Sequence, residues 1–270
     1  MRGRSEAALA EVRASFEPTL VANQDRIFTF ARELFSIADV IEGSAGLSRS
    51  VTHPARQPSE RADIVRNLFG PKVSGEVTDI VAQFAAKDVA SEADFVSGLR
   101  ELGTGAIMLS AEINDRLDKL EEELFRAVEF FSEERELRFQ LQNWAQPVEV
   151  RQRVVEELFH NQLPETVELL RHSVSRTEDE TIVAQLRGWI EDAAARAKHL
   201  TAIVTSARPI GPDQATRLVS ILEKKYNRPV EMHLGLDKSI IGGMKIQIGS
   251  DVIDGTIATR LKDVRSSFRA

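Results

Sequence analysis

Residues 113–131 read Ile113-Asn114-Asp115-Arg116-Leu117-Asp118-Lys119-Leu120-Glu121-Glu122-Glu123-Leu124-Phe125-Arg126-Ala127-Val128-Glu129-Phe130-Phe131. Ile113, Leu117, Leu120, Leu124, Val128 and Phe131 recur every three or four residues, which makes one apolar stripe on a helix. Asp118, Glu121, Glu122 and Glu129 take the opposite face, so this helix lies half in a core and half in water. No glycine falls between Gly105 and Gly188. Further stripes follow within that interval: Val150, Val154 and Leu158; Val167, Leu170 and Val174; Ile182, Leu186, Ile190 and Ala194. Pro147 and Pro164 suit the first turns of two of these helices. Thr177, with Glu180 three residues on, makes a capping box for the last.

The same pattern occurs earlier in the chain. Glu33-Leu34-Phe35 recurs as Glu123-Leu124-Phe125, and the same shift carries Leu47 onto Leu137, Leu68-Phe69 onto Leu158-Phe159 and Val77 onto Val167. Pro58 and Pro147 correspond after a slip of one residue. One shared tripeptide would be chance; spaced matches at one shift indicate duplication. The expected organisation is therefore an extra, duplicated helical unit over 1–103, beginning near residue 5, and a second helical unit over 104–197.

Beyond residue 197 the period changes. Thr201-Ala202-Ile203-Val204-Thr205 is β-branched and strand-like. Pro212 opens a helix with Ala215, Leu218, Val219 and Leu222 inward, and Val230, Met232, Leu234 and Leu236 alternate with period two. Met244, Ile246 and Ile248 alternate likewise, and Gly249-Ser250 is a two-residue hairpin connection into Asp251-Val252-Ile253. Ile257, Leu261, Val264 and Phe268 make a closing helical stripe. Residues 198–270 thus read as a small α+β domain, and the whole chain as mainly α: two tandem helical-bundle domains followed by that unit.

Charge divides at the same place. The 270 residues carry a net charge of −7, yet residues 198–270 hold 12 basic and 7 acidic side chains, and the remainder 23 and 35. A basic end joined to an acidic body suits two different partners. The acidic total argues against nucleic-acid binding, and the 13 Phe follow helical stripes rather than interleaving with Lys and Arg. Lys224-Lys225 is accompanied only by Tyr226. No run approaches the ~18 apolar residues of a membrane span. Met1-Arg2-Gly3-Arg4 leads into no apolar stretch, so no signal peptide is expected and a soluble, cytosolic type of protein is.

No catalytic, cofactor or metal site emerges. The chain has no Cys, which excludes thiolate chemistry and Cys metal sites. Gly103-Thr104-Gly105 could begin a dinucleotide fingerprint, but Met108 stands where its third glycine belongs and no strand precedes it. Gly242-Gly243-Met244-Lys245 lacks the spacing of a phosphate loop. Asp251 and Asp254-Gly255 suggest a calcium loop, yet its twelfth position is Lys262. Neither Ser44 nor Ser250 sits in a nucleophile elbow. His53, His160, His172, His199 and His233 have no partner at helical spacing, and Glu121-Glu122-Glu123 reads as a solvated face. A duplicated helical surface joined to a basic α+β unit is the profile of an adaptor; a helical-repeat scaffold and a nucleotide-handling enzyme are the alternatives.

The end of the chain narrows this. Asp237-Lys238-Ser239-Ile240-Ile241-Gly242-Gly243-Met244-Lys245-Ile246-Gln247-Ile248-Gly249, then Val252-Ile253-Asp254-Gly255-Thr256 and Arg260-Leu261, closely resembles the C-terminal signature of the delta subunit of F-type ATP synthases, the oligomycin-sensitivity-conferring protein family. Ile203 to Ala207, the helix start at Pro209–Leu222 and Asn227-Arg228-Pro229-Val230 fit in the same order, and Leu158-Phe159 and Pro164-Glu165-Thr166 fit the middle of the family's helical domain. The family's Arg-x-Tyr-Ala-x-Ala-Leu-Phe opening is not evident around Ala106–Asn114, and residues 1–103 are additional.

The resemblance implies a non-catalytic stator subunit of the proton-translocating ATP synthase, without cofactor or metal. It would bind N-terminal helices of alpha subunits through its helical domain and the C-terminal end of the b subunit through residues 198–270. It would be present once per complex, peripheral on the cytoplasmic face of the cell membrane, and would resist rotor torque. The head-contact candidates are Val167, Leu170 and Val174, for each of which core packing is the competing reading. The stalk-domain signature is Ile241, Gly242, Gly243, Met244, Ile246, Ile248, Gly249, Ile253 and Gly255, with Ile241, Met244, Ile246 and Ile248 the contact candidates. Gly242-Gly243 also has a plain reading as turn residues that let the chain reverse before a strand.

Overall fold

A computed structural model describes residues 3–143, 145–175, 181–197, 200–226, 229–237, 240, 242–248 and 251–257. The chain is mainly helical with a small four-stranded sheet near its end. It divides into two compact units, Met1–Ala106 and Ile107–Ala270.

The first unit contains α1 (Gly3–Ala22), a 3-10 turn at Gln24–Arg26, α2 (Ile27–Glu42), α3 (Ala45–Thr52), α4 (Pro58–Phe69) and α5 (Gly75–Ala86). Its core is aromatic: Phe16, Phe30, Phe84 and Phe95 are fully buried, and the rings of Phe84 and Phe95 stack at 4.8 Å. Local signals set the helix ends. Ser44 caps α3 by accepting from the Leu47 amide, and at α4 the side chains of Gln57 and Glu60 form a reciprocal capping box ahead of Pro58.

Helix α6 (Glu92–Ile113) carries the chain from the first unit into the second, with Ala106 the last residue of one and Ile107 the first of the other. The Gly103-Thr104-Gly105 stretch lies inside this helix. Two of its glycines give close packing rather than a break: a Cβ at Gly98 would stand 2.5 Å from Phe84 Cζ, and one at Gly103 would overlap the Phe35 ring. α6 stops at Asp115, whose φ is +54°, and the Arg116 amide donates back to the Ala111 carbonyl at 2.8 Å. That is a Schellman-type ending, and Asp tolerates the left-handed conformation it needs. Ile113 therefore ends α6, and the apolar stripe read as one helix from 113 to 131 spans two.

In the second unit follow α7 (Leu117–Glu133), α8 (Arg135–Leu141), α9 (Val148–Phe159), α10 (Pro164–Ser175) and α11 (Ile182–Ala197). Leu120, Leu124 and Phe131 of α7 are fully buried, and α11 packs against them with Ile182, Leu186 and Ala193. On α9 the buried face is offset by one residue from the expected stripe: Arg151 and Val155 are inside, whereas Val150 and Leu158 are exposed. Phe159 rotates the helix this way by packing its ring 5.6 Å from Phe130 and 5.7 Å from Phe131. The capping pair Thr177 and Glu180 lies outside the described residues.

Helix bounds recur at an offset of 90: Pro58–Phe69 returns as Val148–Phe159, and the starts of α2 and α6 return as those of α7 and α11. The same offset carries α1, starting at Gly3, onto α6.

The sheet comprises β1 (Leu200–Ser206), β2 (Val230–Leu236), β3 (Met244–Ile248) and β4 (Asp251–Asp254) in the order β2-β1-β3-β4. β1 and β2 are parallel, and α12 (Pro212–Tyr226) supplies the crossover that such a pair requires. β3 runs antiparallel to β1 and β4 antiparallel to β3. Ala202, Val204, Ile246, Ile248 and Val230 share one face with Leu222 of α12 and form the core there. The register pairs Ile248 with Asp251, the spacing expected of a two-residue connection. Of the closing stripe, Leu261, Val264 and Phe268 lie outside the described residues.

Candidate docking surfaces

The head-contact candidates sit on α10. Leu170 and Val174 are fully buried and Val167 is half-buried, so of the three Val167 alone offers surface. Buried carboxylates fix the start of this helix. Glu123 of α7 is 5% exposed and caps its start, accepting from the Leu163 amide at 2.8 Å and the Thr166 hydroxyl at 2.6 Å. Lys119 approaches its other carboxylate oxygen at 3.8 Å. In the same first turn, Glu165 is buried, accepts from the Ser110 hydroxyl at 2.9 Å and lies 3.7 Å from Arg116. Carboxylates in the first turn also complement the helix dipole. Further along, Arg171 bridges Glu156 at 2.5 Å and Glu168 at 3.7 Å, and Arg196 of α11 holds buried Glu112 at 3.0 Å.

Glu123 was not expected inside. The acidic triplet 121–123 breaks up by helical geometry: Glu122 points to water and pairs with Arg126, whereas Glu123 turns under α10. A signal existed, since Glu123 is the acidic residue of the repeated tripeptide. Its counterpart Glu33 accepts from the Ser74 amide at 3.2 Å and from the Ser74 hydroxyl, just ahead of α5. A second equivalence joins the copies. Arg61 donates to Thr52 O, and Arg151 to Leu141 O, each at 3.4 Å and each reaching the last carbonyl of the preceding helix. Burial of Arg151 lowers its pKa, with Glu149 opposing.

The outward face of α7 is acidic and carries an exposed aromatic ring. Phe125 is 54% exposed, and Asp118, Glu121, Glu122 and Glu129 fall one or two turns from it along the same stripe. Its counterpart Phe35 is buried in the first unit.

The signature residues of the C-terminal part have architectural roles. Gly243 has φ +88°, and a Cβ there would overlap the Gly255 carbonyl oxygen and stand 2.9 Å from Thr256 Cα. Only glycine fits both constraints. Around it, the Gly255 amide donates to Met244 O and the Ile257 amide to Gly242 O, each at 2.9 Å. Ile246 and Ile248 are buried, and Met244 and Ile253 half-buried against the same core. Ile241 and Gly249 lie outside the described residues.

Among the described residues no three His, Asp or Glu side chains converge as a metal-binding group, and no helix is long and apolar enough to cross a membrane. The class so defined is that of mainly helical proteins ending in a small mixed sheet, with a glycine signature where β3 begins beside the end of β4. The family model for the ATP synthase delta (OSCP) subunit matches residues 104–268. The ATP synthase subunit delta of Beutenbergia cavernae is 35% identical over 266 residues, 98% of each chain. Those of Kineococcus radiotolerans and Streptomyces coelicolor are each 30% identical over 264 residues, 97% of this chain and 96% of theirs. The chain belongs to the ATP synthase delta (OSCP) subunit family. These relatives match nearly the whole chain, so the first unit is common to them as well. A chain of the Toxoplasma gondii mitochondrial ATP synthase hexamer overlaps at a TM-score of 0.30 and 18% identity, covering 62% of this chain and 95% of that one, too loosely to compare folds.

Proposed function

We propose that the chain is a non-catalytic stator subunit of the F-type ATP synthase, tying the catalytic head to the peripheral stalk and resisting rotor torque. The observation that carries the reading is the family match over 104–268, which spans the helical region as well as the signature. In this reading residues 104–197 receive the N-terminal helix of an alpha subunit and residues 198–270 receive the C-terminal end of the b subunit. One copy serves each complex, on the cytoplasmic face of the membrane and peripheral to it.

Within the matched region α6 is the first helix and α10 the fifth, the pair whose groove binds the head in the family. Val167 supplies surface there, and Leu170 and Val174 support it from beneath. An amphipathic helix laid into such a groove buries its apolar face at i, i+3 and i+4 positions. On the stalk side Met244 is a half-buried member of the signature strand, with Ile246 and Ile248 holding the strand in register. Residues 1–103 add a second docking surface, for another alpha subunit or along the stalk, so that two contacts on one assembly raise the effective concentration of each.

Co-isolation of the full chain from membranes with alpha and b subunits tests the reading; recovery without either would overturn it. Deleting the first unit should weaken retention on the complex and loosen coupling. Unchanged retention and coupling would refute the role given to the duplicate.

A further inference from the structure

Two helices of the second unit each present a charged outer face with one exposed apolar side chain at its centre. On α7 that side chain is Phe125, 54% exposed. Helix positions three, four and seven apart share a face, so Asp118, Glu121, Glu122 and Glu129 surround the ring. Glu122 pairs with Arg126, and the other three carboxylates have no ion pair among the described residues. On α12 the side chain is Ile221, 56% exposed. Arg217, Lys224 and Lys225 flank it within one turn on either side. Lys225 lies over the Tyr226 ring at 5.1 Å, and none of the three cations has a carboxylate partner among the described residues. Asp213, in the first turn of α12, is the acid nearest this face, and it does not pair with Arg217.

The two faces match in register as well as in sign. With Phe125 set against Ile221 and the helices antiparallel, Lys224 comes opposite Glu122, Lys225 opposite Glu121 and Arg217 opposite Glu129. Charge matched in this way steers encounter and fixes alignment. The first unit shows the α7 type of face meeting its demand internally. There Asp39, the counterpart of Glu129, is bridged at 2.8 Å by Arg100 of α6, and the Phe35 ring lies against Gly103. In the second unit Ile190 and Ala193 stand at those two positions, so α11 supplies neither the cation nor the notch for the ring. Both anchors are exposed in the single chain, so its two faces are not closed on each other.

We propose that the free chain pairs with a second copy of itself, the α7 face of each copy seated on the α12 face of the other. The two contacts are identical and related by a two-fold axis. The pairing concerns the chain before assembly and does not rest on the stator reading, in which each complex holds one copy.

Sedimentation velocity of the full chain at low salt should show a coefficient that rises with concentration, and high salt should reverse the rise. F125S should weaken association by about ten-fold, the loss of one apolar anchor, whereas F139S, at an exposed ring on α8, should leave it unchanged. E121K/E122K and K224E/K225E should each remain monomeric, since each sets like charges together. Mixed in equal amounts, they should associate again, because both contacts are attractive only in the mixed pair. A parent chain that stays monomeric at every concentration in low salt, a mixture that fails to associate, or weakening by F139S equal to that by F125S would each overturn the proposal. None of the substituted side chains is buried, so the fold is retained throughout the series.

Discussion

Glu33 and Glu123 perform one task ninety residues apart: each tethers the start of a helix on the far side of its bundle. Burial makes the two unequal. Glu123 is enclosed, so Glu123→Ala leaves the Leu163 amide and the Thr166 hydroxyl without acceptors and should cost about 2–4 kcal/mol. Glu33→Ala, at a half-buried position, should cost about 1 kcal/mol. Both tryptophans, Trp144 and Trp189, lie in the second unit, so urea unfolding followed by their fluorescence reports the first variant without interference from the other unit. Glu76 offers a pH test. Its own backbone amide, then Arg26 at 2.7 Å, hold its carboxyl below the ordinary 4.5, with burial opposing. Because the folded value is the depressed one, its contribution is present above 4.5 and disappears as pH falls through the folded value. Glu76→Gln should therefore be less stable than the parent at pH 7, and the gap in denaturation midpoint should close in acid. A gap that persists or widens in acid would contradict the assignment.

Elements were legible where periodicity and burial coincide. α7 and α12 follow from apolar spacing, β2 and β3 from alternation, β1 from its β-branched run and β4 from the two-residue connection that precedes it. α6 was hidden because its glycines read as punctuation, whereas Gly98 and Gly103 are places where Phe84 and Phe35 press against helix backbone. The distinction predicts opposite outcomes two residues apart. Gly103→Ala should destabilise the first unit by about 1–3 kcal/mol through overlap with Phe35. Gly105→Ala, with nothing within 4 Å, should stabilise by about 0.5–1 kcal/mol through helix propensity. Amide hydrogen exchange along α6 reads both. α9 misled for another reason: the apolar spacing of Val150, Val154 and Leu158 is sound, but a buried arginine and an aromatic cluster turn the helix, and hydrophobicity patterns carry no sign of a buried cation. In the sheet, Gly243→Ala should unpair β3 from β4 and abolish amide protection there, since both φ and the nearby Gly255 carbonyl exclude a side chain.

At the scale of the molecule, the opposite charges of the two ends give a further expectation. Under the proposed stalk contact, binding of the full chain to an acidic stalk peptide should weaken as salt rises through a Debye length of ~10 Å at 0.1 M; salt-independent affinity would remove electrostatics from that proposal. In the sequence a glycine boundary, a charge boundary and a change of period coincide near residue 198. The two compact units meet at Ala106 and Ile107, inside α6, where a continuous helix has no composition shift to announce the point. A deletion made at 103/104 begins inside α6 and leaves ten of its residues without a cap, so the variant for retention assays should start at Ser91.

The recurrence of α1 as α6, and of α6 as α11, has an arithmetical consequence. The repeating unit is five helices with one closing helix at the end of the run, as fence posts outnumber panels by one. A third copy would lengthen the chain by ninety residues and five helices, not six. Lineages that gained or lost a copy should differ in steps of that size, with the seam inside a helix rather than in a loop.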